Sequence, residues 1–180
     1  MILQQYKIVF SGSMGAGKTE AIRSLSDVPV LLTEAFNTDT DSHNKMETTV
    51  GIDYGEVTLE DGTKIGLYGT PGQERFNFIW PVICQSALGA IVLIDHNTEG
   101  PLEQLESYIE TFQNYTDNIA IGITHIDLHS DKSTNMYREW LIENDLYAPL
   151  FFIDARKKSD VLLLLEALIS AVEVNNNITT

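Results

Sequence analysis

A chain of 180 residues with 43% apolar and 21% charged side chains fits one ordinary domain over residues 1–180, long enough to bury about 70% of its unfolded surface, and has too little Gly and Pro for a fibrous or disordered chain. Its 26 acidic against 11 basic side chains give a formal net charge of −15, a field that repels nucleic acid and anionic membrane, so a site for a polyanion must be local and built from backbone amides plus a few cations. The lone Cys84 excludes an internal disulfide and suits a reducing compartment, with a cytoplasmic location expected; no run reaches the roughly 18 apolar residues of a membrane span, and neither a signal peptide nor a lipid anchor is expected at the ends.

In chain order, apolar or β-branched runs at Tyr6–Phe10, Val50–Leu59, Lys64–Tyr68, Ala90–Ile94, Ile119–Ile123 and Leu150–Ile153 read as strands. Helices are predicted near 18–26, 74–87, 101–115, 132–144 and 160–174. Alternation of this kind predicts an α/β fold, a doubly wound sheet with helices on both faces. The run EVTLEDGTKIGLY reads as a hairpin turned at Asp61-Gly62, which places one antiparallel pair on the sheet. Ser159 or Asp160 can cap the last helix, whose segment VLLLLEALISAVEV is apolar on most faces and must pack hard against the sheet. Leu32–Thr48 has no clear periodicity and reads as a long loop, a length that in a compact domain is more often functional or mobile than idle.

The strongest chemical signal is GSMGAGKT, Gly12 to Thr19, which matches G-x-x-x-x-G-K-[ST], follows the strand YKIVF and opens a helix. Glycines there let successive amides turn inward on phosphates, and the helix N-terminus adds partial positive charge. Lys18 would reach the β- and γ-phosphates, and the hydroxyl of Thr19 would ligate Mg²⁺. The motif alone does not choose between adenine and guanine, or between a kinase, an ATPase and a switch.

Four later segments fall in the order and at the spacing of a Ras-like GTPase, a resemblance that covers nearly the whole chain. It implies a P-loop fold with a six-stranded, mostly parallel sheet and one antiparallel edge strand, binding GTP or GDP with Mg²⁺. The nucleotide loop would then comprise Met14, Gly15, Ala16 and Gly17, followed by Lys18, Thr19 and Glu20. TTVGIDYGEV resembles the first switch, near residues 33–50, with Thr49 ligating Mg²⁺ and its amide meeting the γ-phosphate; Thr48 is the neighbouring alternative. TPGQERF resembles the second switch, near 69–80, where Gly72 would offer its amide to the γ-phosphate and Gln73 would orient the attacking water. ITHID resembles the guanine-reading motif, with Thr124 and His125 beside the base and Asp127 accepting from it. FFIDAR resembles the last base-contact loop, made by Asp154, Ala155 and Arg156, where the Ala155 amide would meet the guanine oxygen.

Within that superfamily the pattern is most similar to a bacterial branch akin to the gliding-motility protein MglA and the actinobacterial conservon GTPases. The resemblance implies a switch that hydrolyses GTP slowly alone, is stimulated by a partner, and works with proteins of the roadblock/LC7 fold. Several positions depart from the wider pattern. Gly69 stands where the second switch usually has Asp, removing a carboxylate that holds a Mg²⁺ water. Pro71 fixes φ just before Gly72. Thr124, His125 and Arg156 stand in place of Asn, Lys and Lys.

Each assignment has a plainer rival. Gln73 is either the water-orienting residue or a polar residue at a helix start, and Asp127 either a guanine contact or a cap. His125 and His129 with Asp127 between them read as a solvated loop rather than a metal pair. NTDTDSH, Asn37 to His43, lacks the Gly and Glu of a calcium loop and reads as a polar switch segment. Lys45 is either an internal cationic finger or a surface lysine. Phe76, Phe78, Ile79 and Trp80 either form a partner surface or pack on the sheet. For the whole chain, the alternatives are a nucleotide-dependent scaffold with little hydrolysis and an adenine-specific kinase or ATPase.

Overall fold

The runs GAIVLID and IAIGIT are buried along almost their whole length, as strands covered on both faces must be. They form the centre of a seven-stranded sheet in the computed structural model, which describes residues 5–36, 49–127 and 133–178. The strands are β1 (Gln5–Ser11), β2 (Leu31–Phe36), β3 (Thr49–Thr58), β4 (Lys64–Gly69), β5 (Gly89–Asp95), β6 (Ile119–Thr124) and β7 (Leu150–Phe152), in the spatial order β2-β3-β4-β1-β5-β6-β7. Five α-helices lie among the described residues: α1 (Lys18–Leu25), α2 (Trp80–Cys84), α3 (Pro101–Phe112), α4 (Asn135–Glu143) and α5 (Lys158–Ile178).

Alternation along the strands divides the core into two layers. Ile8, Phe10, Leu67, Ile91 and Leu93 face α1 and α5, which present Ile22, Leu25, Leu164 and Leu168. Val9, Val92, Ile94, Ile121 and Ile123 face the other way, onto Trp80 of α2, Leu105 and Phe112 of α3, and Tyr137 of α4. The expected α/β architecture with helices on both faces is therefore present. No described helix is long and apolar enough to cross a membrane.

The sheet carries one strand more than the six read from the sequence. Leu32–Phe36, the first part of the stretch expected to be a loop, is instead strand: with Leu31 it pairs antiparallel with β3, from Leu31 opposite Tyr54 to Phe36 opposite Thr49. β3 runs against both its neighbours, so the single reversed strand lies inside the edge that β2 forms. Leu31 and Leu32 are adjacent and both exposed, so the strand does not open with the alternation of a half-buried one.

The helix expected over 74–87 is also divided. Glu74–Ile79 is a 3₁₀ segment in which the Trp80 amide donates to the Asn77 carbonyl, and α2 begins at Trp80 with Pro81 in its first turn. Pro81 has no N–H to offer the Asn77 carbonyl four residues back, so a continuous α-helix through this point is interrupted, and Pro suits a new helix start. The hairpin is as expected: β3 and β4 pair from Thr58 opposite Lys64, and Gly62 turns the chain at φ +86°.

Candidate functional site

All the motif segments gather at the carboxyl ends of the parallel strands, where open α/β sheets build their ligand sites. The phosphate loop leaves β1 and enters α1. Its first glycine is obligatory: Gly12 has φ +139°, and a Cβ there would lie 2.2 Å from the Leu93 carbonyl oxygen. Lys18 folds back under the loop and donates to the carbonyls of Gly12 at 2.7 Å and Ser13 at 2.8 Å. Its side chain is only 8% exposed. Burial pulls its pKa from 10.5 to about 8, opposed by the nearby Asp53 carboxylate, so it remains charged at neutral pH by a narrow margin.

In front of Lys18 lies a cavity of about 420 Å³, walled by Met14, Gly15 and Gly17 of the loop, by Thr19 and Glu20 of α1, and by Thr70, Pro71 and Gly72 after β4. Gly72 reaches the loop itself: an added Cβ would lie 2.7 Å from the Met14 nitrogen and 2.8 Å from Lys18 Nζ. No other residue type fits there without moving the loop or the lysine. Thr70 holds this approach, its amide donating to the Phe10 carbonyl at 2.8 Å and its hydroxyl to Ser11 Oγ at 3.1 Å. Gln73 follows as an exposed residue at the start of the 3₁₀ segment and does not line the cavity.

Position 69 carries no side chain, but a carboxylate of the neighbouring strand lies beside it. Asp53 of β3 is directly opposite Gly69 in the ladder, lines the same cavity, and accepts a short hydrogen bond from Thr19 Oγ1. A Cβ on Gly69 would stand 3.1 Å from Asp53 Cβ and 3.3 Å from its Oδ2. One carboxylate therefore fills the space that two would contest. Asp53 was not among the residues singled out from sequence; the signal that finds it is the hairpin register.

A second cavity of about 240 Å³ adjoins the first, with Gly17 and Glu20 lining both. Its other walls are Thr124, His125 and Asp127 after β6, and Asp154, Ala155 and Arg156 after β7. Thr124 commits its hydroxyl to tying β6 to the phosphate loop, 2.9 Å from the Ala16 carbonyl oxygen and 3.3 Å from that of Ile94. His125 holds a left-handed φ of 58°, stabilised by Asn97, whose amide donates to the His125 carbonyl at 2.6 Å. Its Nδ1 lies 3.3 Å from Asp95 Oδ2.

Arg156 grips Asp154 with two parallel hydrogen bonds of 2.8 Å, and its Nη2 stands 3.6 Å from Asp127 Oδ2. The guanidinium and the Arg156 amide together hold the Asp154 carboxyl well below the ordinary carboxylate range. Ala155 packs so near the phosphate loop that a Cβ on Gly17 would lie 3.1 Å from its Cβ. Ala16 is fully buried behind that contact.

The structure thus assembles Met14 to Glu20, Gly72, Thr124, His125, Asp127 and Asp154 to Arg156 around two joined cavities. Thr49 opens β3 opposite Phe36, two residues before Gly51, which lines the phosphate cavity. Thr48, Lys45, the segment Asn37 to His43 and His129 lie outside the described residues. No cluster of three His, Cys, Asp or Glu side chains able to hold a metal occurs among the described residues. A hydroxyl bonded to a carboxylate beside a phosphate pocket instead suits Mg²⁺, which takes few protein oxygens and fills its shell with phosphate and water.

Comparison with known proteins agrees with this arrangement. The profile describing the Ras family matches residues 7–173. An uncharacterised protein of Methanocaldococcus jannaschii, MJ1339, is 28% identical over 136 residues, covering 74% of this chain and 78% of its own length. Human Ras-related protein Rab-8B is 31% identical over 113 residues, 61% of this chain and 49% of the relative. Ras-related protein RABA1b of Arabidopsis thaliana is 27% identical over 120 residues, 64% and 50% of the two chains. The chain therefore spans about half the length of these Rab relatives. Phosphate loop, nucleotide-sized paired cavities and a family match over nearly the whole sequence together make this chain a Ras-family, GTP-binding domain of the switch type.

Proposed function

We propose that the domain is a Mg²⁺-dependent guanine-nucleotide switch that hydrolyses GTP slowly alone and faster with a partner. The observation that carries this reading is the Thr19–Asp53 hydrogen bond beside Lys18 at the phosphate cavity, a pair of oxygens that would suit a bound Mg²⁺ and its water. Thr19, joined by Thr49, would hold Mg²⁺, and Asp53 would hold a metal-bound water in the role vacated at Gly69. When bound, the ion supplies charge neutralisation on the β- and γ-phosphates. Lys18 adds its charge from below, and the Gly72 amide donates to the γ-phosphate. Gln73 swings in from its exposed position to orient the attacking water. The base enters the second cavity, where Asp127 accepts from its N1–H and amino group and the Ala155 amide donates to its oxygen.

Two observations support a partner. Lys18 is the only cation among the described residues lining the phosphate cavity, so transition-state charge lacks a second local cation. Beside Gln73, Phe76 and Phe78 pack edge to face at 6.5 Å, with Arg75 over the Phe76 ring and Phe78 41% exposed. On this reading the second switch, near 69–80, would present this patch to a roadblock/LC7-type protein.

A second reading, a nucleotide-dependent scaffold with little hydrolysis, draws on Gln73 standing outside the cavity. Single-turnover hydrolysis of GTP by wild type and Gln73→Leu, alone and with a roadblock-type protein, separates the two. Slow intrinsic turnover that the substitution abolishes supports the switch. Turnover indifferent to Gln73 under every condition supports the scaffold.

A further inference from the structure

Glu20 occupies an unusual place for an acid. It stands in the first turn of α1, directly after the Lys-Thr pair that serves phosphates, yet it lines both cavities. A nucleotide with its phosphates in the first cavity and its base in the second must lay its ribose across their junction. A carboxylate there repels any phosphate it approaches, so its favourable partner is the sugar. Ionised, it has only acceptor sites, and two vicinal hydroxyls offer two donors.

The side chain is also held. Arg23, one turn along the same helix, donates from Nη1 to Glu20 Oε2 at 2.6 Å, and the Glu20 side chain is 44% exposed. Arg23 thereby offsets part of the charge that would otherwise face the phosphates. Arg156, across the second cavity, feels the Glu20 charge as well, after those of Asp154 and Asp127. The carboxylate is therefore paired with one cation on a residue that lines both cavities.

We propose that Glu20 reads the ribose of the bound nucleotide, accepting hydrogen bonds from its vicinal hydroxyls and selecting ribonucleotides over deoxyribonucleotides. The proposal rests on the reading that one nucleotide spans both cavities. A hydrogen bond to an ionised acceptor corresponds to discrimination of about tenfold or more.

Dissociation constants for GDP, 2′-deoxy-GDP and 2′,3′-dideoxy-GDP, measured calorimetrically in Mg²⁺ on wild type, Glu20→Ala, Glu20→Gln and Arg23→Ala, test it. Wild type is expected to bind the dideoxy nucleotide at least about tenfold more weakly than GDP, and Glu20→Ala to bind the two within about twofold. Glu20→Gln, which keeps one acceptor, and Arg23→Ala, which frees the carboxylate, should retain reduced discrimination. Equal binding of all three nucleotides by wild type overturns the proposal. So does a Glu20→Ala protein that discriminates as wild type does, which leaves Glu20 only the favourable interaction of an acid with a helix N-terminus. Wild type that binds none of the three would instead remove the underlying guanine-nucleotide reading.

Discussion

Asp53 and Gly69 face each other across the β3–β4 ladder, and the proposed role of Asp53 at the metal rests on that register. Asp53→Asn keeps the shape but loses the charge, and outer-shell partners of this kind typically contribute ten- to a hundredfold to metal affinity. Half-saturation of Mg²⁺-dependent GDP binding should move to roughly tenfold higher Mg²⁺ in that variant. Gly69→Asp in wild type should weaken binding too, because it sets like charges directly opposite each other, whereas adding Asp53→Gly should recover part of the loss. Lys18 gives a pH test. Its pKa falls from 10.5 to about 8 on folding, so between those values the unfolded chain holds the proton and the folded one does not. The contribution of this group to stability therefore rises with pH across that window. Phosphate affinity runs the other way: GDP binding should weaken as pH climbs past about 8, with no such fall in Lys18→Arg, whose weaker binding stays flat over the same range. Of these residues, Lys18 and Thr19 were legible from motif spacing alone. Asp53 was legible in principle, because the Asp61-Gly62 turn fixes the register that sets it against Gly69, but only once the ladder is counted back from the turn. The ties made by Asp95, Asn97 and Thr124 were not, since they join segments far apart in sequence.

The elements position these residues by packing. α5 lies against β5 and β6 with Val161, Leu164, Leu165 and Leu168 fully buried, which keeps the loop after β7 against the phosphate loop. Leu165→Ala removes buried volume from that contact and should cost about 2–5 kcal/mol in chemical denaturation. Its buried face and continuous apolar run made α5 the easiest helix to read, although its start at Lys158 precedes the expected cap. Asp160 instead spends a carboxylate oxygen on the Asp154 amide at 3.0 Å, so it shapes the base loop. The two segments read less well have physical causes in view. β2 opens on two exposed leucines without alternation, and the second-switch helix is broken at Pro81 by a missing donor.

For the whole molecule the dominant fact is a net charge of −15 around a site that must hold a polyphosphate. Self-repulsion of that size destabilises the compact state and is screened by salt, so the melting temperature of the nucleotide-free protein should rise by a few degrees, about 3–8 °C, between low and physiological ionic strength. A fall on adding salt would mean that attractive ion pairs outweigh the net field. Against that field the two cavities offer the buried Lys18, the Thr19 and Asp53 oxygens and the Asp127 carboxylate, which under the proposed function act together on a guanine nucleotide. Calorimetric titration of the nucleotide-free protein with GDP and ADP in Mg²⁺ tests this most directly. The expected result is GDP binding at least about a hundredfold tighter than ADP, since a site built to hydrogen-bond one base leaves buried polar groups unpaired with the other. Equal affinity for the two, or tighter binding of ADP, would contradict it.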